Sequence, residues 1–167
     1  MIFDEFSLDY DNSELRLNLN NSFFDLAFTE EEKAEMLHIY KNDFITIPSS
    51  VFLQSNVNGF PHSTENSYTR MRRVTDFSKC IGIYEPNYIF SHNGCSYWWV
   101  RNSSIKENVM IVKDNGRIGY GEPNKNAVGI CPIIKIKKSD SQKILNTFNE
   151  LESIDDYTFQ LIAQEVV

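Results

Sequence analysis

The fold turns on three consecutive pieces of sequence: CSYWWVRNSS (95–104), NVMIVKDNGRIG (108–119) and AVGICPIIKIK (127–137). Tyr97 to Arg101 packs aromatic and β-branched residues into adjacent positions, a composition that favours strand. Side chains alternate across a strand, so Trp98 and Trp99 are expected on opposite faces, one in the core and the other on a second surface. Val109–Lys113 and Arg117–Tyr120 flank Asp114-Asn115-Gly116. An Asn-Gly pair between such runs predicts a hairpin with a type I′ turn, in which both central residues need positive φ. In Ile133–Lys137, Lys135 and Lys137 alternate with Ile134 and Ile136, as in a strand with one wet face. Together these pieces predict a small antiparallel sheet.

Working outward from that sheet, the 167 residues suit one domain. A chain of this length buries roughly 70% of its unfolded surface, enough for a packed core. Its 41% hydrophobic and 13% aromatic content places it with globular chains and not disordered ones. No apolar run approaches the roughly 18 residues of a membrane span. The opening Met-Ile-Phe-Asp-Glu lacks the basic start and apolar core of a secretory signal. The chain therefore reads as cytoplasmic, or as a mature or trimmed form; secreted and virion-associated placements stay open. A formal charge of −7 argues against nucleic acid as a partner, because neutralising phosphates needs surplus Lys and Arg. Arg70-Met71-Arg72-Arg73 is the local exception, and it reads best as a solvated face paired with acidic neighbours.

Upstream, Ser13 is placed as an N-cap, with Leu15, Leu19 and Phe23 along one helical face. Thr29-Glu30-Glu31-Glu32 is a capping box opening a helix expected to run to about His38. Phe23, Phe24 and Phe28 form an aromatic seam between these helices. Phe44–Ile47 and Val51–Leu53 read as short strands broken by Pro48. Asn56–Tyr68, polar and carrying Gly59 and Pro61, is the best candidate for a long surface loop. Thr75-Asp76 caps a short helix through Cys80 that Gly82 ends. Turns are expected at Glu85-Pro86-Asn87 and Ser91–Gly94. Ile144, Leu145, Phe148 and Leu151 have helical spacing in the C-terminal stretch, and Asp155 is a cap for a last helix.

No catalytic set emerges. His38, His62 and His92 are scattered, without the spacing of a helical metal site. His38 is expected at a helix end, favoured by the dipole. No nucleophile elbow, phosphate loop or dinucleotide-binding glycine pattern is present. Cys80, Cys95 and Cys131 have neither the even count of a disulfide framework nor metal spacing, and read as buried free thiols. No cofactor or metal is expected. Trp98, Trp99 and Arg101 could stack a sugar ring or base. The competing reading makes one tryptophan core and the other a lid on a loop, with Arg101 clamping a carboxylate or carbonyls; it is the favoured one.

Several of these segments, in order, resemble an uncharacterised bacterial domain-of-unknown-function family found in Gram-positive and phage-associated proteins. Ser13-Glu14-Leu15-Arg16 with Leu19-Asn20 is similar to its S-x-L-R-x-x-L-N helix. Phe23-Phe24 to Ala27-Phe28, followed by Glu32-Lys33, resembles its aromatic seam and E-K helix. Val51–Ser55 resembles its VFLLS strand, and Thr75-Asp76-Phe77 its T-D-Y helix start. Trp98–Ser103 is similar to its W-W-L-R-S signature, Val112–Gly116 to its V-x-x-x-G hairpin, and Gly129-Ile130-Cys131-Pro132 to its closing G-V-R-P. Cys131 stands where the family has arginine, the opening strand is short or missing, and 139–167 extends past the usual end.

That family in turn resembles the C-type-lectin-like fold of formylglycine-generating, sulfatase-modifying enzymes. The resemblance implies an α+β domain over 1–138 with a twisted antiparallel sheet, two main helices and long loops. Residues 139–167 are expected to form a helical extension packed on it and to offer a homo-oligomer contact. The cysteine pair of those enzymes is not matched by the spacing here, and fold does not transfer activity.

The leading expectation is a non-catalytic binding module presenting loops to a protein or glycan, with no nucleic-acid or membrane partner. Candidate binding residues are Trp98, Trp99, Arg101, Arg16, Tyr68, Tyr88 and His92, with the Asn56–Tyr68 and Asn87–Asn93 loops most exposed. The alternatives are a formylglycine-generating-type enzyme using Cys95 or Cys131, and a phage-associated inhibitor or assembly protein acting through its acidic surface.

Overall fold

A computed structural model describes residues 2–5, 7–80, 82–84, 94–103, 108–125 and 127–137. Tyr88, His92, the Asn87–Asn93 loop, the Glu85-Pro86-Asn87 turn and the expected helices after residue 138 lie outside the described residues. So does the boundary at 138/139.

The architecture is α+β, with two small antiparallel sheets. Strands β1 (Met36–Leu37), β6 (Ile133–Ile136) and β2 (Ile45–Thr46) form one, in the order β1-β6-β2. The other is β3 (Trp98–Ser103), β4 (Val109–Val112) and β5 (Ile118–Gly121), in chain order. Ile133–Ile136 thus leaves the sheet expected for it and becomes the shared strand of a second one. The reason is its pairing: Met36 lies opposite Ile136, and Ile45 opposite Ile134.

The β3-β4-β5 sheet divides two cores. Trp99, Val109 and Ile111 face a cluster with Phe3, Tyr10, Leu15, Leu19, Ile45 and Ile47. Trp98, Val100, Val112 and Ile118 face a second cluster with Leu53 and Phe60. Alternation along β3 is as the sequence predicts, but its consequence is corrected. Trp98 is 2% exposed and Trp99 fully buried, because both faces of this sheet are covered.

The first helical segment runs α1 (Glu14–Asn18), a π-helical stretch Leu19–Phe23, then α2 (Phe24–Ala27). The Ser13 hydroxyl accepts the Arg16 amide at 3.2 Å, and the buried Asp4 carboxylate accepts that of Glu14 at 2.9 Å. Leu15 and Leu19 are buried, and Phe23 packs half-buried beside them. The Asn20 side chain stitches this helix to β2, accepting from Phe44 and Ile45 amides and donating to the Ile45 carbonyl at 2.8 Å.

The capping box on α3 (Glu30–Glu35) is complete, Thr29 and Glu32 each satisfying the other's backbone N–H. The helix stops at Glu35, not His38. None of its residues is buried, and Met36 and Leu37 are drawn into strand pairing by β6. His38 is exposed, its ring stacked on Phe44 at 4.3 Å. Val51–Leu53 is no strand: Ser49 accepts the amides of Phe52, through its hydroxyl, and of Leu53, through its carbonyl. That starts a 3-10 turn over Phe52–Gln54. The helix Asp76–Cys80 (α4) forms as expected, with Thr75 accepting the Ser78 amide and Gly82 at φ +91° behind it.

The 108–119 hairpin is present, but its turn is not type I′. Gly116 alone has positive φ, +74°; its amide bonds the Lys113 carbonyl and the Lys113 amide bonds that of Arg117. This is a three-residue loop with glycine at the bulge. A Cβ on Gly116 would sit 1.9 Å from the Ser67 carbonyl oxygen. Gly116→Ala is therefore expected to cost about 2–4 kcal/mol from the left-handed conformation and the overlap together, read as a lowered urea midpoint.

Candidate functional site

Two polar constellations stand on opposite faces of the dividing sheet. The first is centred on Arg70, the side chain least expected to be buried. It is fully enclosed and is given no carboxylate among the described residues; its guanidinium instead gathers backbone carbonyls. Nε donates to Gly116 at 2.7 Å, Nη1 to Leu53 at 3.0 Å and Pro61 at 3.4 Å, and Nη2 to Glu65. The Arg70 carbonyl in turn accepts the Trp98 indole N–H at 3.1 Å. A planar five-donor fork suits this task, because the loop folds its carbonyls inward and each would otherwise be buried unsatisfied. Desolvation pulls the Arg70 pKa below the usual guanidinium value.

The solvated-face reading of Arg70–Arg73 is corrected accordingly. Arg72 lies over the Trp98 ring at 5.6 Å and donates to the Thr69 and Met71 carbonyls. Arg73 bridges by backbone to Cys95, and its side chain is exposed.

The loop that Arg70 closes is the Asn56–Tyr68 segment. Its chain is fixed further by the Ser67 amide on the Asn115 carbonyl and the Ile118 amide on that of Thr64. His62 shares a 2.8 Å bond with the Gln54 carbonyl. On this pinned backbone Val57 is 96% exposed and Tyr68 83%, with Val51 at 73% just before it.

The second constellation surrounds Tyr40. Arg101 lies 3.9 Å over its ring, with Arg16 at 6.0 Å and Lys41 at 5.6 Å. Arg101 also donates to the Thr46 hydroxyl at 3.3 Å, which in turn donates to the buried Tyr10 phenol. Arg16 grips Asp43 through two nitrogens, at 2.6 and 3.0 Å, and donates to the Asp11 carbonyl. Asp11 accepts from the Tyr40 phenol at 2.7 Å and pairs with Lys41. Lys41 reaches it from a left-handed conformation, φ +52°, in the turn that bridges Tyr40 to Asp43.

Among the described residues, Arg101 meets an aromatic ring and a hydroxyl where a carboxylate or carbonyls are expected. Burial raises the phenol pKa of Tyr10 and, with the Asp11 charge, that of Tyr40. The Lys41 and Tyr40 bonds hold the Asp11 carboxyl below its ordinary value.

Of the sequence candidates, the structure brings Arg16 and Arg101 together at Tyr40. It places Trp98 under Arg70 and Trp99 in the opposite core, and leaves Tyr68 on the surface. Every lettered residue of the S-x-L-R-x-x-L-N stretch has a contact within the fold. Tyr40, Lys41, Asp43 and Thr46 carry no sequence signal for this role, and Arg70 stands out in sequence only as part of the Arg70–Arg73 cluster, which reads there as a solvated face.

Cys80, Cys95 and Cys131 form no disulfide among the described residues; Cys95 is buried, whereas Cys80 is exposed, which corrects its reading as a buried thiol. Cys131 is half-buried as a residue, yet burial of its thiol pushes the pKa up to about 11, so thiolate is scarce there at neutral pH. Among the described residues no cluster of His, Cys, Asp and Glu could hold a metal ion, and no helix is long and apolar enough to cross a membrane. Comparison with protein families, characterised proteins and solved structures finds no match.

Two outcomes follow from these environments. A maleimide time course on the folded chain should modify Cys80 quickly and Cys95 and Cys131 slowly, and one fast thiol at Cys131 would contradict the packing around it. A carboxyl with a depressed folded pKa stabilises the fold above its unfolded value and loses that contribution as pH falls through the folded one. Asp11→Asn should therefore lower the denaturation midpoint at pH 7 and converge with wild type in acid, below the ordinary value of 3.8.

Proposed function

We propose that this chain is a non-catalytic binding module that presents the Asn56–Tyr68 loop to a protein ligand, on a scaffold of the C-type-lectin-like kind. The observation that carries it is the Arg70 clamp: one buried guanidinium ties Leu53, Pro61, Glu65 and Gly116 together beneath a loop whose tips stay in water. A loop held in one conformation before binding loses little entropy when a partner arrives, so more of its contact energy appears as affinity. Tyrosine is among the side chains that dominate protein interfaces, and the exposed valines add apolar area to the same surface.

A protein is favoured over a glycan by what lies on the surface. Val51 and Val57 are aliphatic and exposed, whereas both tryptophans that could stack a sugar are buried. The net charge of −7 further favours a neutral or basic partner.

Capture from a lysate of the source cells with immobilised wild type, Tyr68→Ala and Val57→Asp tests this directly. A partner held by wild type should be weakened about tenfold or more by either change, the size of one interface hot spot, with the thermal midpoint unmoved. Equal retention by all three would remove the loop from the account.

A further inference from the structure

The edge of β5 carries a more specific statement about the ligand. In the hairpin the Lys113 amide bonds the Arg117 carbonyl, and the register sets Ile111 opposite Gly119 and Val109 opposite Gly121. Backbone groups of an antiparallel strand point to alternate edges. Those of Gly119 and Gly121 therefore face β4, and those of Ile118 and Tyr120 face the other way. The Ile118 amide does so visibly, bonding the Thr64 carbonyl at 2.9 Å.

The Ser67 amide meets the Asn115 carbonyl in the hairpin turn at 3.2 Å, so 64–67 runs antiparallel to 115–118 and reaches the β5 edge at Ile118. Upstream of Thr64 the track is abandoned. The Ser63 amide turns onto the Pro61 carbonyl at 2.8 Å, and His62 is held by Gln54. The Tyr120 N–H and C=O, next along the edge, take no backbone partner among the described residues. Beyond them the Pro123 carbonyl is occupied by the Phe3 and Asp4 amides, which bounds the slot.

Nothing intrinsic to the strand closes it. Edges are ordinarily protected by proline, inward charge or a bulge, yet β5 reads Ile-Gly-Tyr-Gly. Side chains from the β4 side crowd the two glycines: Cβ atoms there would sit 2.8 Å from the Lys113 side chain at Gly119 and 3.2 Å from the Ile111 side chain at Gly121. Tyr120 is 46% exposed, and half-buried Met110 lies opposite it on the same face.

We propose that a short extended segment of the partner protein adds to this edge as an antiparallel strand, pairing with Tyr120 where the loop departs. This rests on the protein-binding reading above and gives the ligand its form. Segment 64–67 already shows that the edge accepts an antiparallel chain. The incoming strand continues that line, its backbone supplying affinity and Tyr120 with Met110 supplying contact for an apolar side chain.

The probe is a peptide enriched from a random-peptide display library on the immobilised full chain. In the unliganded protein the Ile118 amide should be protected from hydrogen exchange and the Tyr120 amide should exchange fast. With the peptide bound, Tyr120 exchange should slow by about tenfold or more. N-methylation at the one peptide residue whose N–H meets the Tyr120 carbonyl should weaken binding by roughly tenfold, and at the residue on either side should not, an alternation set by the strand.

Binding without Tyr120 protection and without that alternation overturns strand addition. The loop reading then survives if Tyr68→Ala abolishes binding, and falls if it does not. Enrichment of no peptide also overturns strand addition, while capture of a folded protein lost with Tyr68→Ala would keep the loop. Tyr120 protection that rises with protein concentration alone, alongside dimer formation, would replace the partner strand by a second copy of this chain.

Discussion

The structure depends on one constraint, the two-residue alternation along β3. Trp98 and Trp99 are neighbours in sequence and anchors of different cores. A sheet of three short strands is marginal alone; here it is stable because apolar surface is removed from water on both faces. A one-residue slip would move each indole into the other's pocket and turn Arg101 away from Tyr40, so the register is specified by steric and electrostatic terms at once. The N-terminal helix, β2 and the Tyr40 cluster are built on the Trp99 side, the 53–70 loop on the Trp98 side.

The two sides are finished with different chemistry. Around Tyr40, cations and carboxylates alternate, partly in water, so each contact is individually modest and screened by salt. Around Arg70, a single charge is enclosed and, among the described residues, meets carbonyl dipoles alone. Such a group is costly to bury, and removing any of its partners leaves the cost uncompensated. The consequence is a loop with little freedom to rearrange piecemeal. That fixes the backbone beneath its exposed side chains, in contrast to the self-contained polar network on the far face.

Much of this was legible in the sequence where the signal is local. The Ser13 cap, the Thr29 capping box, the Leu15 and Leu19 face, the Thr75 helix start and the β4-β5 hairpin all rest on residues a few positions apart. What was not legible depends on distant partners. The separation of Ile133–Ile136 into its own sheet requires Met36 and Ile45. The early end of α3 requires β6. The turn at Phe52 is the exception: its partner Ser49 is only three residues away, and the strand-like composition of Val51–Leu53 hid that cap. At the site, Tyr68 stands out as a loop aromatic without any structure. Arg70 does not: its role is set by four carbonyls, and a carbonyl has no side-chain identity to read.

The shared strand of the smaller sheet has a consequence for how the molecule is made. β1 and β2 come early in the chain, but the strand that pairs with both is β6, close to the end of the described residues. During synthesis, residues 36–47 emerge with β1 and β2 unpaired and the pocket for Trp99 unfilled. They must wait for nearly the whole described chain before either can close. Such late, non-local closure makes folding slow and leaves Ile45 and Ile47 open to other chains in the interval. Expression at reduced temperature, or with a chaperone that shields apolar segments, acts on that interval and not on the stability of the finished fold.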